Sequence, residues 1–325
     1  MKKIAITAVI LSCAALAGQV FLFATSKEDA DDIYQNAIKA DYRVYAPLVP
    51  DTATFCGEPV PLETFYVHEA LDRELMVNMY GHTNMMLWLK RAARAFPVIE
   101  PILKKNGIPA DMKYLCVAES GLAATTSQAG AQGYWQFMQS TGKTYGLEIS
   151  DEIDMRNNLT LSTEAACHFL KKLYDEFGSW SMAAAAYNLG ENGVRRRSKN
   201  QGVDLYWDLM TPYETTRYVF RIVAIKTIMQ HPLDYGFHVR QCDLYHPVPT
   251  KEVTLEGQDV DLYAFARNNG TTYKMLRDLN PWIQTDKLKN KENKTYRVAL
   301  PDGSEGTKNN VLNTRRHDTS LLESI

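Results

Sequence analysis

Up to about residue 235 the apolar residues recur at three- and four-residue spacings, punctuated by the glycines and prolines that end helices. A chain patterned this way buries stripes rather than sheet faces, so it must fold mainly as packed helices. Leu71, Leu75, Met79, Met86, Leu89 and Ala93 keep helical spacing from Glu69 to Phe96, with a break at Gly81. Two helices are predicted there, the second ended by Pro97. Ser162 reads as the N-cap of a helix closed by Gly178, and Ser179 as the cap of Trp180 to Leu189, whose four consecutive alanines permit close helix approach. Thr211-Pro212-Tyr213-Glu214 has the form of a capping box and opens a helix expected to run to His231.

The texture changes after Tyr235. Residues 252–255 and 295–300 read as short strands flanking two helices, Leu262 to Asn268 and Tyr273 to Leu279, with Gly270 between them. This βααβ unit is small enough that its own core is marginal. Residues 303–325 are polar and expected to be disordered.

At 325 residues there is room for one large domain and a small one. A hydrophobic share of 45% and a formal charge of -2 describe an ordinary globular protein and give no footing for a nucleic-acid partner. Lys2 and Lys3 precede an apolar run from Ile4 to Ala24 that reads as an export signal cleaved near Ser26 or kept as a membrane anchor. Leu11-Ser12-Cys13 leaves lipidation as a third reading. Of the other cysteines, Cys116 and Cys167 fall within apolar helical patterns and read as buried thiols, while a Cys56–Cys242 bridge stays open. No CxxC occurs, the seven His are scattered, and His68-Glu69 lacks a second His. Neither a metal nor a cofactor is expected.

One acid stands out. Glu119 closes an apolar helical run that Pro109 opens and Gly121 ends. Met112, Leu115 and Cys116 lie on its face, so the carboxylate sits on the buried side of the last turn, at the negative end of the helix dipole. Burial and dipole both disfavour the ionised form, and a raised pKa is what a general acid at neutral pH requires. A bland reading, in which the side chain bends out to water or pairs with an arginine, stands beside this one. The following loop tips the balance: Gly121, Gly130 and Gly133 permit close backbone approach, with hydroxyls at Thr125, Thr126 and Ser127 and rings at Tyr134 and Trp135, a mixture suited to a sugar.

Glu119-Ser120, Ser127, Gly130-Ala131, Gly133, Trp135-Gln136-Phe137-Met138, Thr141 and Tyr145-Gly146-Leu147 together resemble the signature of the lytic transglycosylases with the lysozyme-like fold. Asp151 to Arg156, Ala186-Tyr187-Asn188-Leu189-Gly190, Glu214 to Tyr218, Pro232 and Tyr235-Gly236 resemble that family's later motifs. The likeness is closest to the membrane-bound transglycosylase D subgroup, and the βααβ unit is similar to a LysM repeat, although Val253 to Val260 departs from the usual opening of that module.

The resemblance implies that Glu119 protonates the β-1,4 glycosidic oxygen between N-acetylmuramic acid and N-acetylglucosamine in peptidoglycan and then acts as base on the muramic C6 hydroxyl. Ser127, Gln136, Tyr187, Asn188 and Tyr218 are implied to bind substrate or line the cleft, Tyr218 by orienting Glu119. A two-carboxylate hydrolase needs a second acid about 5 to 9.5 Å away. No Asp or Glu occurs between Glu119 and Glu148, although Asp154, Glu191 or Glu214 could approach in space. A hydrolytic muramidase and a non-catalytic wall-binding protein are the alternatives. Trp135 reads mainly as packing, Glu214 as a capping residue and Glu191 as exposed.

The expected organisation is therefore a leader or anchor at 1–26, an N-terminal helical region at 27–96, a lysozyme-like catalytic domain at 97–240, a LysM-like domain at 250–302 and a tail at 303–325. A monomer is expected, exported to the periplasm or cell envelope, with membrane association through the N-terminus.

Overall fold

The computed structural model describes residues 45–303 and 320–325. The leader or anchor at 1–26 and Cys13 lie outside the described residues. No helix among those described is long and apolar enough to cross a membrane.

A two-stranded hairpin, β1 (Ala53–Phe55) and β2 (Glu58–Val60), precedes eight helices of the larger domain. They are α1 (Phe65–Tyr80), α2 (His82–Lys105), α3 (Met112–Ser120), α4 (Gln139–Thr144), α5 (Leu159–Phe177), α6 (Trp180–Leu189), α7 (Glu191–Gln201) and α8 (Tyr213–Gln230). A break at Gly81 separates α1 from α2, as the sequence pattern predicts. Helix α8 is the axis of the core, buried along Tyr218, Val219, Ile222, Val223, Ile225 and Met229, with α1, α3 and α6 packed around it. The alanines of α6 are fully buried, so its backbone approaches α5 and α8 closely. Glu58 reaches from the hairpin to the N-terminus of α6, accepting from Trp180 N at 2.5 Å and Ser181 N at 3.1 Å. A carboxylate is favoured there by the orphan N–H groups and the dipole.

Three local expectations fail, the first because tertiary burial outweighs a local rule and the other two because a neighbouring side chain or backbone group takes the bond. Pro97 does not end α2, which continues through Pro97 and Pro101 to Lys105. A proline inside a helix costs about 3 kcal/mol. Burial of Ile99, Ile102 and Leu103 beyond it returns about 2 kcal/mol each. Helix α5 begins a turn before Ser162: Asn158 Oδ1 caps it by accepting from Leu161 N at 3.0 Å, while the Ser162 hydroxyl donates to Asn158 O at 2.6 Å from inside the core. The capping box of α8 does not form, because the Thr211 hydroxyl is spent on Thr216 Oγ1 at 2.8 Å and Glu214 turns along the helix to Arg221.

The small domain pairs β3 (Thr250–Leu255) with β6 (Tyr296–Pro301) in an antiparallel ladder. A second short ladder of β4 (Val260–Asp261) and β5 (Lys287–Leu288) flanks α9 (Leu262–Asn268) and α10 (Tyr273–Leu279). Its marginal core does not stand alone. Asp154 N donates to Trp282 O and Gln284 N to Glu152 O, both at 2.8 Å, making a main-chain seam with the larger domain. The Glu152 carboxylate accepts from Lys289 N and Asn290 N, and Tyr296 OH donates to Glu148 at 3.0 Å.

The expected disordered tail needs correction at its end. Residues 320–325 lie against the larger domain, where Gln241 N donates to Ser320 O and Leu322 N to Val239 O, and Leu322 is buried. Edge backbone at 239–241 and the apolar side chains of Leu322 and Ile325, packed on the core, give this stretch its anchorage. Cys116 and Cys167 are buried thiols; Cys56, in the hairpin turn, is a free thiol and so forms no bridge to Cys242.

Candidate active site

Glu119 lies in the last turn of α3, whose face of Met112, Leu115 and Cys116 is fully buried. Gly121 ends the helix in the left-handed conformation at φ 59, and a Cβ there would stand 2.3 Å from Trp88 Nε1. Glycine is thus required at this stop both by backbone and by space. The carboxyl itself is half-buried, and Tyr218 OH, from the core face of α8, donates a short hydrogen bond to its Oε1. Burial pushes the Glu119 pKa up to about 7 against the opposing pull of the Tyr218 bond and the Arg221 charge, with Glu214 raising it further. The side chain thus holds its proton near neutrality, as its helical position predicts.

The loop after Gly121 is built by its own polar groups. Ser127 Oγ accepts from Ala131 N at 3.0 Å, closing the turn at Gly130. Gln136, at a positive φ of 49, donates through Nε2 to Thr125 O at 3.0 Å and Gly133 O at 2.8 Å. Trp135 is fully buried, its indole N–H on Thr163 Oγ1 at 2.9 Å, as a packing role requires. Beneath the loop, Arg156 is a buried clamp: Nη1 donates to Phe137 O at 3.0 Å and Gly130 O at 3.2 Å, while Asp154 balances its charge at 2.6 Å. Gly133 passes so close that a Cβ would fall 1.8 Å from Arg156 O.

Tyr187 and Asn188 end α6 beside this loop. Tyr187 OH donates to Trp135 O at 2.6 Å, and its ring lies near enough for the Glu119 charge to raise its pKa, after burial. Asn188 Oδ1 accepts from Thr215 Oγ1 at 2.8 Å, one turn before Tyr218. Of the five other residues the sequence singles out, Tyr218 alone bonds Glu119. Tyr187 is tied to the loop and Asn188 to α8, and the Ser127 hydroxyl and Gln136 amide brace the loop. The acids that might have served as a second carboxylate have partners of their own: Asp154 has Arg156, Glu191 has Lys172 at 2.6 Å, and Glu214 has Arg221 at 3.0 Å. Among the described residues no cluster of His, Cys, Asp and Glu is arranged to hold a metal.

Sequence reasoning missed the Asp154–Arg156 clamp and the arginines of α8. The pairing of an acid and a base two residues apart was visible, but not the loop carbonyls they serve. Tyr218→Phe is expected to raise the Glu119 pKa, since it removes the bond that favours the charged form. A titration of the Glu119 carboxyl by 13C NMR, its signal assigned by loss in Glu119→Gln, checks the direction.

The site is thus a single half-buried glutamic acid at a helix end, bonded by a tyrosine beside a glycine-rich loop, in a helical domain followed by a small αβ module. Residues 97–209 match the transglycosylase SLT domain, and residues 251–304 match the soluble lytic transglycosylase C-terminal LysM-like domain. Membrane-bound lytic murein transglycosylase D of Escherichia coli (strain K12) is 33% identical over 148 residues, covering 43% of this chain and 32% of the relative. A putative tributyltin chloride resistance protein of Alteromonas sp. (strain M-1) is 30% identical over 159 residues, 46% of this chain and 76% of the relative. The chain belongs to the SLT-domain family of lytic murein transglycosylases. It spans about a third of the length of the transglycosylase D relatives, 32%. The SLT match ends before α8, which nevertheless supplies Tyr218.

Proposed function

We propose that this protein is a peptidoglycan lytic transglycosylase in which Glu119 is the one general acid and base. The carrying observation is the half-buried Glu119 on Tyr218, its pKa pushed up to about 7 by burial, with the neighbouring acids already paired. Glu119 gives its proton to the β-1,4 oxygen that leaves muramic C1, and the resulting carboxylate then takes the proton of the C6 hydroxyl as that oxygen closes on C1. The product is a 1,6-anhydro muramic end, and Glu119 recovers its proton in the same cycle. No water is consumed, so no second carboxylate is needed to activate one.

Tyr187, Asn188, Ser127 and Gln136 are assigned to the cleft wall, where loop hydroxyls and amides face N-acetyl and hydroxyl groups of the glycan. The LysM-like domain is assigned to the same glycan. The protein acts in the cell envelope as a monomer, exported by its N-terminal segment, which is either cleaved or kept as an anchor.

Mass spectrometry of muropeptides released from purified peptidoglycan tests the reading. Anhydro ends, one water lighter than their reducing counterparts, are the expected product. Reducing ends would make the protein a hydrolytic muramidase, and no product from folded protein would leave a wall-binding module.

A further inference from the structure

Helix α1 lies outside the matched SLT segment, yet it carries a buried carboxylate into the arginines of α8. Glu74 is 1% exposed. Arg217 Nε donates to its Oε1 at 2.6 Å, Arg73 Nη1 to the same oxygen at 3.1 Å, and Arg221 Nε stands 3.9 Å from Oε2. The ring of Tyr213 closes the group, with Arg73 and Arg217 over it at 5.1 and 5.3 Å. Buried ion clusters are weak contributors to stability, because desolvation offsets most of the attraction. Their better-attested use is to fix a geometry.

The geometry in question is that of Glu119. Glu214, Tyr218 and Arg221 are spaced to share one face of α8, and Tyr218 is the residue bonded to Glu119. Arg221 is therefore the cation one turn beyond the catalytic contact. Among the described residues its ion pairs are with Glu74 and Glu214, at 3.9 and 3.0 Å, and none joins it to Glu119. An arginine drawn to within about 4 to 6 Å of a carboxylate lowers that group's pKa by about 1 to 3, enough to strip Glu119 of its proton at neutral pH. The other titratable groups acting on Glu119 are Tyr218 and Glu214 from α8, Tyr187 from α6 and Cys116 from its own helix, and burial keeps the tyrosines and the thiol neutral.

We propose that Glu74 is a positioning residue of the active site: together with Glu214 it holds the Arg221 guanidinium on the α1 side of α8 and so prevents it from pairing with Glu119. The inference rests on Glu119 being the proton donor.

The experiment is a 13C NMR titration of the Glu119 carboxyl in the full chain, run beside the pH profile of peptidoglycan cleavage, for wild type, Glu74→Gln, Arg221→Met and the double variant. Glu74→Gln is expected to lower the midpoint and the alkaline limb of activity by about one pH unit or more. Arg221→Met should raise both, and the double variant should behave as Arg221→Met alone, because Glu74 acts only through the arginine. An unmoved midpoint in folded Glu74→Gln overturns the proposal, as does a shift of equal size in the Arg221→Met background. Should Glu74→Gln not fold, Glu74→Asp, whose shorter carboxylate reaches fewer of the arginines, makes the same comparison. The NMR midpoint is read without turnover, so expected midpoints in a protein that releases no product would refute the proposed activity and leave the role of Glu74 standing.

Discussion

Glu119→Gln is expected to lower the rate of peptidoglycan cleavage by about three orders of magnitude while leaving the fold intact. General acid–base catalysis by one positioned group contributes about 10²- to 10⁴-fold, and under the proposed function the same group serves both halves of the reaction. Glutamine keeps the shape and still accepts the Tyr218 hydroxyl proton through its amide oxygen, so the thermal midpoint should move little. It should rise if anything, because an amide carries no ionised form to be desolvated. The wild-type rate should also fall as pH rises through about 7, because the donor form of Glu119 is lost there. Release of soluble muropeptides per unit time, measured for both proteins across pH, checks both statements. Unchanged release by Glu119→Gln would remove the residue from its role.

Asp154→Ala is expected to destabilise the protein by about 3 to 5 kcal/mol, the cost of leaving a buried charge unpaired. Arg156 is 6% exposed and Asp154 4%, and the guanidinium has no other carboxylate within pairing distance among the described residues. At roughly 2 to 4 °C per kcal/mol for a domain of this size, the melting temperature should fall by about 6 to 20 °C. The double variant Asp154→Ala with Arg156→Met should recover part of the loss, since no charge is then stranded, but should still cleave slowly. Gly130 O and Phe137 O would have lost the donors that hold the glycine loop in place. Calorimetry of the two variants separates the charge from the clamp.

The division between what the sequence disclosed and what it hid follows the range of the forces involved. Helical spacing placed Glu119 on a buried face, and Gly121 ended its helix, because both depend on residues within one or two turns. The strands at 252–255 and 295–300 were legible for the same reason, since each is bounded by its own turn residues, whereas their pairing as β3 and β6 required coordinates. Pro97 misled because the gain from burying Ile99 and Leu103 comes from helices far along the chain. Thr211 misled because its hydroxyl chose Thr216 over the helix N-terminus. The Glu74 cluster was invisible: 143 residues separate Glu74 from Arg217, and nothing local marks either as a partner. Ser127 and Gln136 stand in the glycine-rich loop that the sequence singles out, but their bonds within it required coordinates.

The seam between residues 152–154 and 282–284 carries a consequence for how a glycan strand is handled. A module on a loose tether raises local concentration over a wide range of separations, whereas one fixed by main-chain bonds accepts only a matching span. Under the proposed function the protein is then a calliper. Its second jaw would govern the distance along a strand at which the cut falls, and would do little for a fragment too short to reach both jaws.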